Sequence, residues 1–258
     1  MEQTMKAQTL AMLVVMVGAH GAQARDMRFV TEPFPPYTYA TDGRAAGPMV
    51  DVLQAACARL AWRCDIEVLP WRRALGMAQR AEVEGIFTVV DSPERRQYFH
   101  VSPAVIEGRY VLFARAGNGL QYAGDPQVLA GRTLGAYGPS ATALTLEALV
   151  EGVARVRTEI EPDNRTVMRK LAAGRYGEDG LALANEAVAQ LLIREDGLHS
   201  LQPAGLVKVF GYSFGLSRQN VDLAQAQAFA KVLYELCRSG RTGELLKPYG
   251  LPPSPCVR

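Results

Sequence analysis

The sequence predicts an α/β fold, and three observations carry that prediction. Residues 27–90 alternate strand, helix, strand, helix, strand, the order that builds a sheet with its loops gathered at strand ends. Residues 133–184 repeat the alternation as a second unit. The apolar run Gly85-Ile86-Phe87-Thr88-Val89-Val90 reads as a buried strand, and it breaks into Asp91-Ser92-Pro93-Glu94-Arg95-Arg96.

In the first unit, Met27–Thr31 is a short strand. The proline-aromatic loop Glu32–Tyr39 and the turn Asp42-Gly43-Arg44 follow. Val50, Leu53, Cys57 and Leu60 share one face of a helix over 50–60, and 64–69 alternates as a strand. Pro70 opens a helix, Trp71–Ala81, before the strand Ile86–Val90. Ser92 then suits a helix N-cap, Pro93 the first helical position and Glu94 the first turn. Arg95 does not suit that turn, because a helix N-terminus disfavours a cation unless an anion sits alongside. Strand end, helix start and guanidinium together make a seat for a carboxylate or phosphate; the alternative is that Arg95 points into water.

Arg109–Arg115 is a further strand, followed by a polar, glycine-rich stretch over 117–127. The second unit runs through the strand Thr133–Tyr137, the small-residue turn Gly138-Pro139-Ser140-Ala141 and a helix over 142–149. A strand over 155–160, a helix over 166–173 and the strand Leu181–Ala184 complete it, ending in Asn185-Glu186. Val207–Ser217 is a strand crossing back, Leu223–Cys237 a long helix, and Leu245–Tyr249 a short terminal element.

The chain has 258 residues and a formal net charge of +2. Its start reads as a cleavable secretory signal over residues 1–24: Lys6, an apolar Leu10–Val17 too short to span a bilayer, and the small-x-small site Ala22-Gln23-Ala24 before Arg25. Removing it takes Glu2 and Lys6, one charge of each sign, so the exported chain keeps its small net charge. That charge is too low and too dispersed for nucleic acid, and no later stretch approaches a membrane span. The mature chain is therefore expected to be soluble and exported.

The four cysteines fall into two pairs. In an oxidising compartment an even count suggests bridges Cys57–Cys64 and Cys237–Cys256, each contributing roughly 2–3 kcal/mol. Buried free thiols are the alternative, chiefly for the second pair. No Cys-x-x-Cys occurs and His20, His100 and His199 are scattered, so no metal is expected. No glycine-rich phosphate loop appears, so no cofactor is expected either. Gly211-Tyr212-Ser213-Phe214-Gly215 fits the letters of a hydrolase elbow. No histidine follows it, however, and the residues after the serine continue as a strand, so the hydrolase reading fails.

Three strand ends of the first unit converge in such a fold: the Phe34–Tyr39 loop, the Trp71-Arg72 corner and the Thr88–Arg95 segment. Phe34, Tyr37 and Trp71 offer an apolar or cation-binding wall, Thr88 a hydroxyl and Arg95 a bidentate fork. Ordinary packing is the competing reading for each aromatic. In the second unit, Ser140 with the amides of Ala141 and Thr142 forms either an anion site or a plain helix cap. Asn185 and Glu186 could accept from a ligand amine, and Asn185 could equally be an N-cap.

These residues resemble the periplasmic solute-binding proteins of the polar amino acid class, the receptor components of ABC importers. The most specific matches are Ser92-Pro93-Glu94-Arg95 with Phe99-x-x-Ser102, and Leu171-Ala172-Ala173-Gly174-Arg175; Gly131–Gly135 and Gly215-Leu216-Ser217 also fit. The Cys57–Cys64 spacing resembles the disulfide of basic amino acid-binding members. The resemblance implies a two-lobed periplasmic-binding-protein fold with two hinge strands. One lobe would hold residues 25–106 and 211–258, the other 107–210, with hinges at Ile106-Glu107-Gly108 and Phe210-Gly211-Tyr212. It also implies that Arg95 binds a ligand carboxylate, with Thr88, the lid Phe34 and the Ser140-Ala141-Thr142 helix start beside it, and that Asn185 stands where the family holds an ammonium. Many members carry Asp there, and Val90 and Ala141 are apolar where hydroxyl residues are common. The function implied is a monomeric, non-enzymatic receptor that delivers an amino acid-like solute to an inner-membrane ABC permease. The rivals are a cyclohexadienyl dehydratase-like enzyme on this scaffold, with Glu186 or Glu32 as general acid, and a sensor for a membrane signalling partner.

Overall fold

The computed structural model describes residues 25–257, so the expected signal segment lies outside the described residues. In chain order the strands and helices are β1 Arg25–Thr31, β2 Tyr39–Thr41, β3 Arg44–Ala46, α1 Pro48–Arg59, β4 Trp62–Val68, α2 Trp71–Gln79, β5 Gly85–Val90, α3 Pro93–Tyr98, β6 Phe99–Val101 and β7 Ile106–Arg115. There follow β8 Thr133–Tyr137, α4 Ala141–Val150, β9 Arg157–Glu161, α5 Asn164–Ala172, β10 Leu181–Asn185, α6 Glu186–Glu195, β11 Leu201–Ser217, α7 Leu223–Arg238 and α8 Arg241–Leu246.

One sheet runs through the molecule in the order β4-β1-β5-β11-β7-β10-β8-β9, with β6 beside β11. Each half has a parallel set in the βαβ manner: β1 with β4 and β5, and β8 with β9 and β10. The halves meet on β11. Its C-terminal part pairs with β5 and its long N-terminal part with β7. Tyr212 is the junction, set against Val90 on one side and Ile106 on the other. The two segments expected as hinges lie next to each other there, Phe210 against Gly108 and Gly211 against Glu107.

The halves have their own cores. Leu112, Leu134, Leu146 and Leu183 are fully buried in the second half, and Val30, Ala74, Ile86 and Phe99 in the first. Phe29, Leu53, Phe214 and Phe229 fill the layer between β1, α1 and α7. Trp62 stacks on Phe229 at 5.8 Å, which seats α7 on β4. Both cysteine pairs form disulfides, with Cα–Cα distances of 6.3 Å for Cys57–Cys64 and 5.6 Å for Cys237–Cys256, and among the described residues no cysteine is free.

Local sequence accounts for most boundaries. Ser92 caps α3 by accepting from the Arg95 backbone N–H, and Asp222 and Gln225 form a capping box on α7. Gly47, at φ 112°, begins α1, and a side chain there would meet the Tyr37 carbonyl at 2.6 Å. This close approach fixes the proline-aromatic loop against α1. The antiparallel pair of β2 and β3 and three further features go beyond the sequence reading. The short β6 was not anticipated. α6 follows Asn185, with Val188, Ala189 and Leu192 buried along one face. β11 begins at Leu201 rather than Val207; Pro203 and Gly205 disguise its start and produce a register shift against β7.

Candidate functional site

A cleft of about 420 Å³ opens between the two halves of the sheet. The first half contributes Glu32 and Phe34 after β1, Trp71 at the start of α2, Thr88 on β5 and Arg95 on α3. Tyr110 and Tyr137, at β7 and the end of β8, face them with Ser140, Ala141 and Thr142 at the start of α4. Tyr212 and Lys208 reach the cleft from β11.

Arg95 is only 9% exposed although it sits beside open space. Its guanidinium lies 5.8 Å from the centre of the Trp71 ring and 3.3 Å from the Glu94 carboxylate, which is itself half exposed. Burial lowers the Arg95 pKa from its ordinary value, against the opposing pull of Glu94 and Tyr98. A guanidinium this desolvated, with one weak partner, is a strong site for a further carboxylate. The Trp71 indole N–H is buried and has no hydrogen-bond partner.

Thr88 has φ 65°, a left-handed conformation unusual for a β-branched residue. Its hydroxyl lies 3.2 Å from that of Thr31, and Thr88 is the residue skipped where the β5–β11 register shifts, between Phe87 opposite Phe214 and Val89 opposite Ser213. Phe34 stacks on Tyr37 at 5.5 Å and meets Tyr212 edge-on at 5.9 Å. Hydrogen bonds between Phe34 and Thr38 close that loop on itself.

In the second half, the Ser140 hydroxyl accepts from the N–H groups of Thr142 and Ala143 and donates to the Tyr137 carbonyl at 2.6 Å. The Ser140 side chain is thus committed to capping α4. The Tyr137 hydroxyl donates to Glu32 Oε2 at 2.9 Å, bridging the cleft. Burial pushes the Glu32 carboxyl up to about 8, only partly offset by that bond, and the phenols of Tyr110, Tyr137 and Tyr212 are all raised, first by burial.

Seven of the residues singled out from the sequence, Arg95, Thr88, Phe34, Trp71, Ser140, Ala141 and Thr142, come together around this cleft. Asn185 and Glu186 do not line it. Asn185 is fully buried; its Oδ1 accepts from the Tyr37 hydroxyl and from the Val188 N–H, and its Nδ2 donates to the Tyr212 hydroxyl. Glu186 pairs with Arg109 at 3.1 Å. The sequence reading missed Tyr110, Tyr137, Lys208 and the cleft position of Tyr212. Strand tyrosines look like core residues in a sequence, and only the placement of Tyr137 at a strand end before a small-residue turn carried a signal.

Two α/β lobes joined by paired crossing strands, with a desolvated guanidinium between them, define a protein of the periplasmic-binding-protein fold. Within that class the chain belongs to the bacterial extracellular solute-binding proteins, family 3, whose pattern matches residues 27–252. The family and the fold are those of binding proteins. Among solved structures, a histidine kinase sensor domain with similarity to periplasmic binding proteins superposes with a TM-score of 0.76 at 18% identity, covering 90% of this chain and 99% of that one. An ancestral arginine-binding protein bound to arginine gives 0.72 at 16% identity, covering 86% and 97%. ArtJ, the arginine-, lysine-, histidine-binding protein from the thermophilic bacterium Geobacillus stearothermophilus, gives 0.71 at 19% identity, covering 87% and 94%. At these identities the likeness is one of fold. No curated protein matches the chain. No helix among the described residues is long and apolar enough to cross a membrane.

Proposed function

We propose that this chain is an exported, monomeric receptor that binds a small carboxylate-bearing solute, an amino acid or a relative, and delivers it to an inner-membrane ABC permease. The observation that carries the reading is the Arg95 guanidinium, buried in the cleft wall with only Glu94 to offset its charge. The solute carboxylate docks on that fork beside Thr88, with Phe34 and Trp71 as the apolar wall. Residues 107–210 then swing onto residues 25–106 and 211–258 about the strands at 106–108 and 210–212. Contacts with the Ser140-Ala141-Thr142 helix start favour the closed state, because only closure satisfies both sets of groups. The fold shared with arginine-binding proteins agrees with an amino acid or a relative as solute. Cleavage before Arg25 would release the chain into the periplasm.

Native mass spectrometry of the protein as purified, followed by a thermal-shift screen of amino acids and related carboxylates, tests this. The expected result is a retained small acid and a melting temperature raised by at least one carboxylate. A screen in which no carboxylate moves the transition overturns it.

One observation favours a second reading, a dehydratase-like enzyme on the same scaffold. The Glu32 carboxyl, raised to about 8, keeps its proton at neutral pH inside the cleft, as a general acid must. Turnover of prephenate or arogenate would decide for it.

A further inference from the structure

The cleft lining has one unpaired cation and no free anion. Asp91 gives both carboxylate oxygens to Arg96. Glu94 faces Arg95 at 3.3 Å. Glu32 accepts from Tyr137 and, with its affinity for protons raised by burial, meets neutral pH uncharged. Asn185, where an acidic side chain could have served, is neutral and has both ends bound to Tyr37, Tyr212 and the start of α6. Glu186 is turned to Arg109.

Against this, two cationic side chains line one cavity. Arg95 stands in the α3 wall, and Lys208 stands on β11, in register with Tyr110, another residue of the lining. Lys208 forms no ion pair among the described residues. An ammonium group brought into such a site would be desolvated and would meet only carboxylates already paired with arginine, a costly arrangement. A second carboxylate, by contrast, would find Lys208 unpaired at the exposed rim of the cleft, where its charge draws an anion inward.

We infer that the solute is a small dicarboxylate without an amino group, one carboxylate on Arg95 and the other drawn toward Lys208. This rests on Arg95 being the carboxylate seat, and it adds what that seat alone does not decide: the charge of the far end and the absence of an ammonium. The phenols of Tyr110, Tyr137 and Tyr212 and the protonated carboxyl of Glu32 suit oxygen-rich, uncharged substituents between the two ends.

Calorimetric titration of the purified protein with succinate, glutarate and adipate, with the amino counterparts aspartate, glutamate and 2-aminoadipate, and with butyrate tests it. The best diacid is expected to bind about tenfold or more tightly than its amino counterpart. Lys208→Gln is expected to weaken that diacid about fivefold or more while leaving butyrate unchanged. Tighter binding of the amino acids, abolished by Arg95→Ala, overturns the dicarboxylate inference and leaves the carboxylate seat standing. Diacid affinity indifferent to Lys208→Gln overturns the two-ended arrangement. Absence of binding by every diacid overturns the inference, and diacid affinity indifferent to Arg95→Ala overturns the seat itself.

Discussion

The Tyr37 hydroxyl donates to Oδ1 of Asn185 at 3.1 Å, joining residues 148 apart in sequence and on opposite sides of the sheet junction. The same amide donates to the Tyr212 hydroxyl and caps α6 through Val188, so one buried side chain ties the aromatic loop, the crossing strand and a helix of the second half. Replacing it by alanine leaves two buried phenols short of a partner and one helix uncapped. Asn185→Ala is therefore expected to cost about 2–4 kcal/mol of stability in the solute-free protein, read by urea unfolding. A side chain serving only the solute would leave that transition where it was.

Glu32 gives a pH dependence whose sign is fixed by its surroundings. Burial raises its pKa from 4.5 to about 8. In the unfolded chain the group loses its proton near the lower value, whereas the folded chain keeps it to the higher one. Between the two the folded state binds more protons, so stability falls as pH rises, by about 1.4 kcal/mol per unit from this group alone, and the loss is complete above the folded pKa. Glu32→Gln removes the titration. The stability of the parent protein relative to this variant should decline steadily from about pH 5 to about pH 8 in paired urea titrations. A constant difference over that range would mean the carboxyl is ionised in the folded state.

Arg95 was legible in the sequence because a cation in the first turn of a helix is locally unfavourable and needs an external reason. The elements were legible because burial is periodic: Val50, Leu53 and Cys57 keep helical spacing, and all three are buried in α1. Asn185 was not decidable on the same terms. A residue at a strand end before a helix looks alike as ligand group and as cap, and what separates the two is Tyr37 and Tyr212, contacts that no local pattern encodes. Tyr110 and Lys208 were illegible for a related reason. Alternation along a strand says which residues share a face, but not which face borders the cleft.

Thr88 offers a test of strain. At φ 65° its branched side chain sits where glycine is at ease. In an ordinary strand glycine is the less stable replacement by roughly 0.5–1 kcal/mol relative to alanine. Here the order should reverse. Both substitutions lose the hydroxyl facing Thr31, but only Thr88→Gly relieves the backbone, so it should be about 1 kcal/mol more stable than Thr88→Ala. Equal or inverted midpoints in thermal or urea unfolding would show that the left-handed conformation stores no strain.

Arg95 separates binding from folding. Its guanidinium is desolvated, and its carboxylate partner Glu94 is half exposed, so the folded protein gains little from the pair. Truncation should leave the solute-free melting temperature near that of the parent protein. It should, however, cost about 2–5 kcal/mol of binding to the best carboxylate from a thermal-shift screen, because the ligand's charge then loses its partner in a water-poor cleft. Arg95→Lys keeps the charge but not the two parallel donors, and should recover only part of the loss. Calorimetry on the three proteins with one carboxylate gives the comparison. Unchanged affinity in Arg95→Ala would remove this guanidinium from the binding site, and a collapse of the solute-free fold in both variants would make it a structural residue instead.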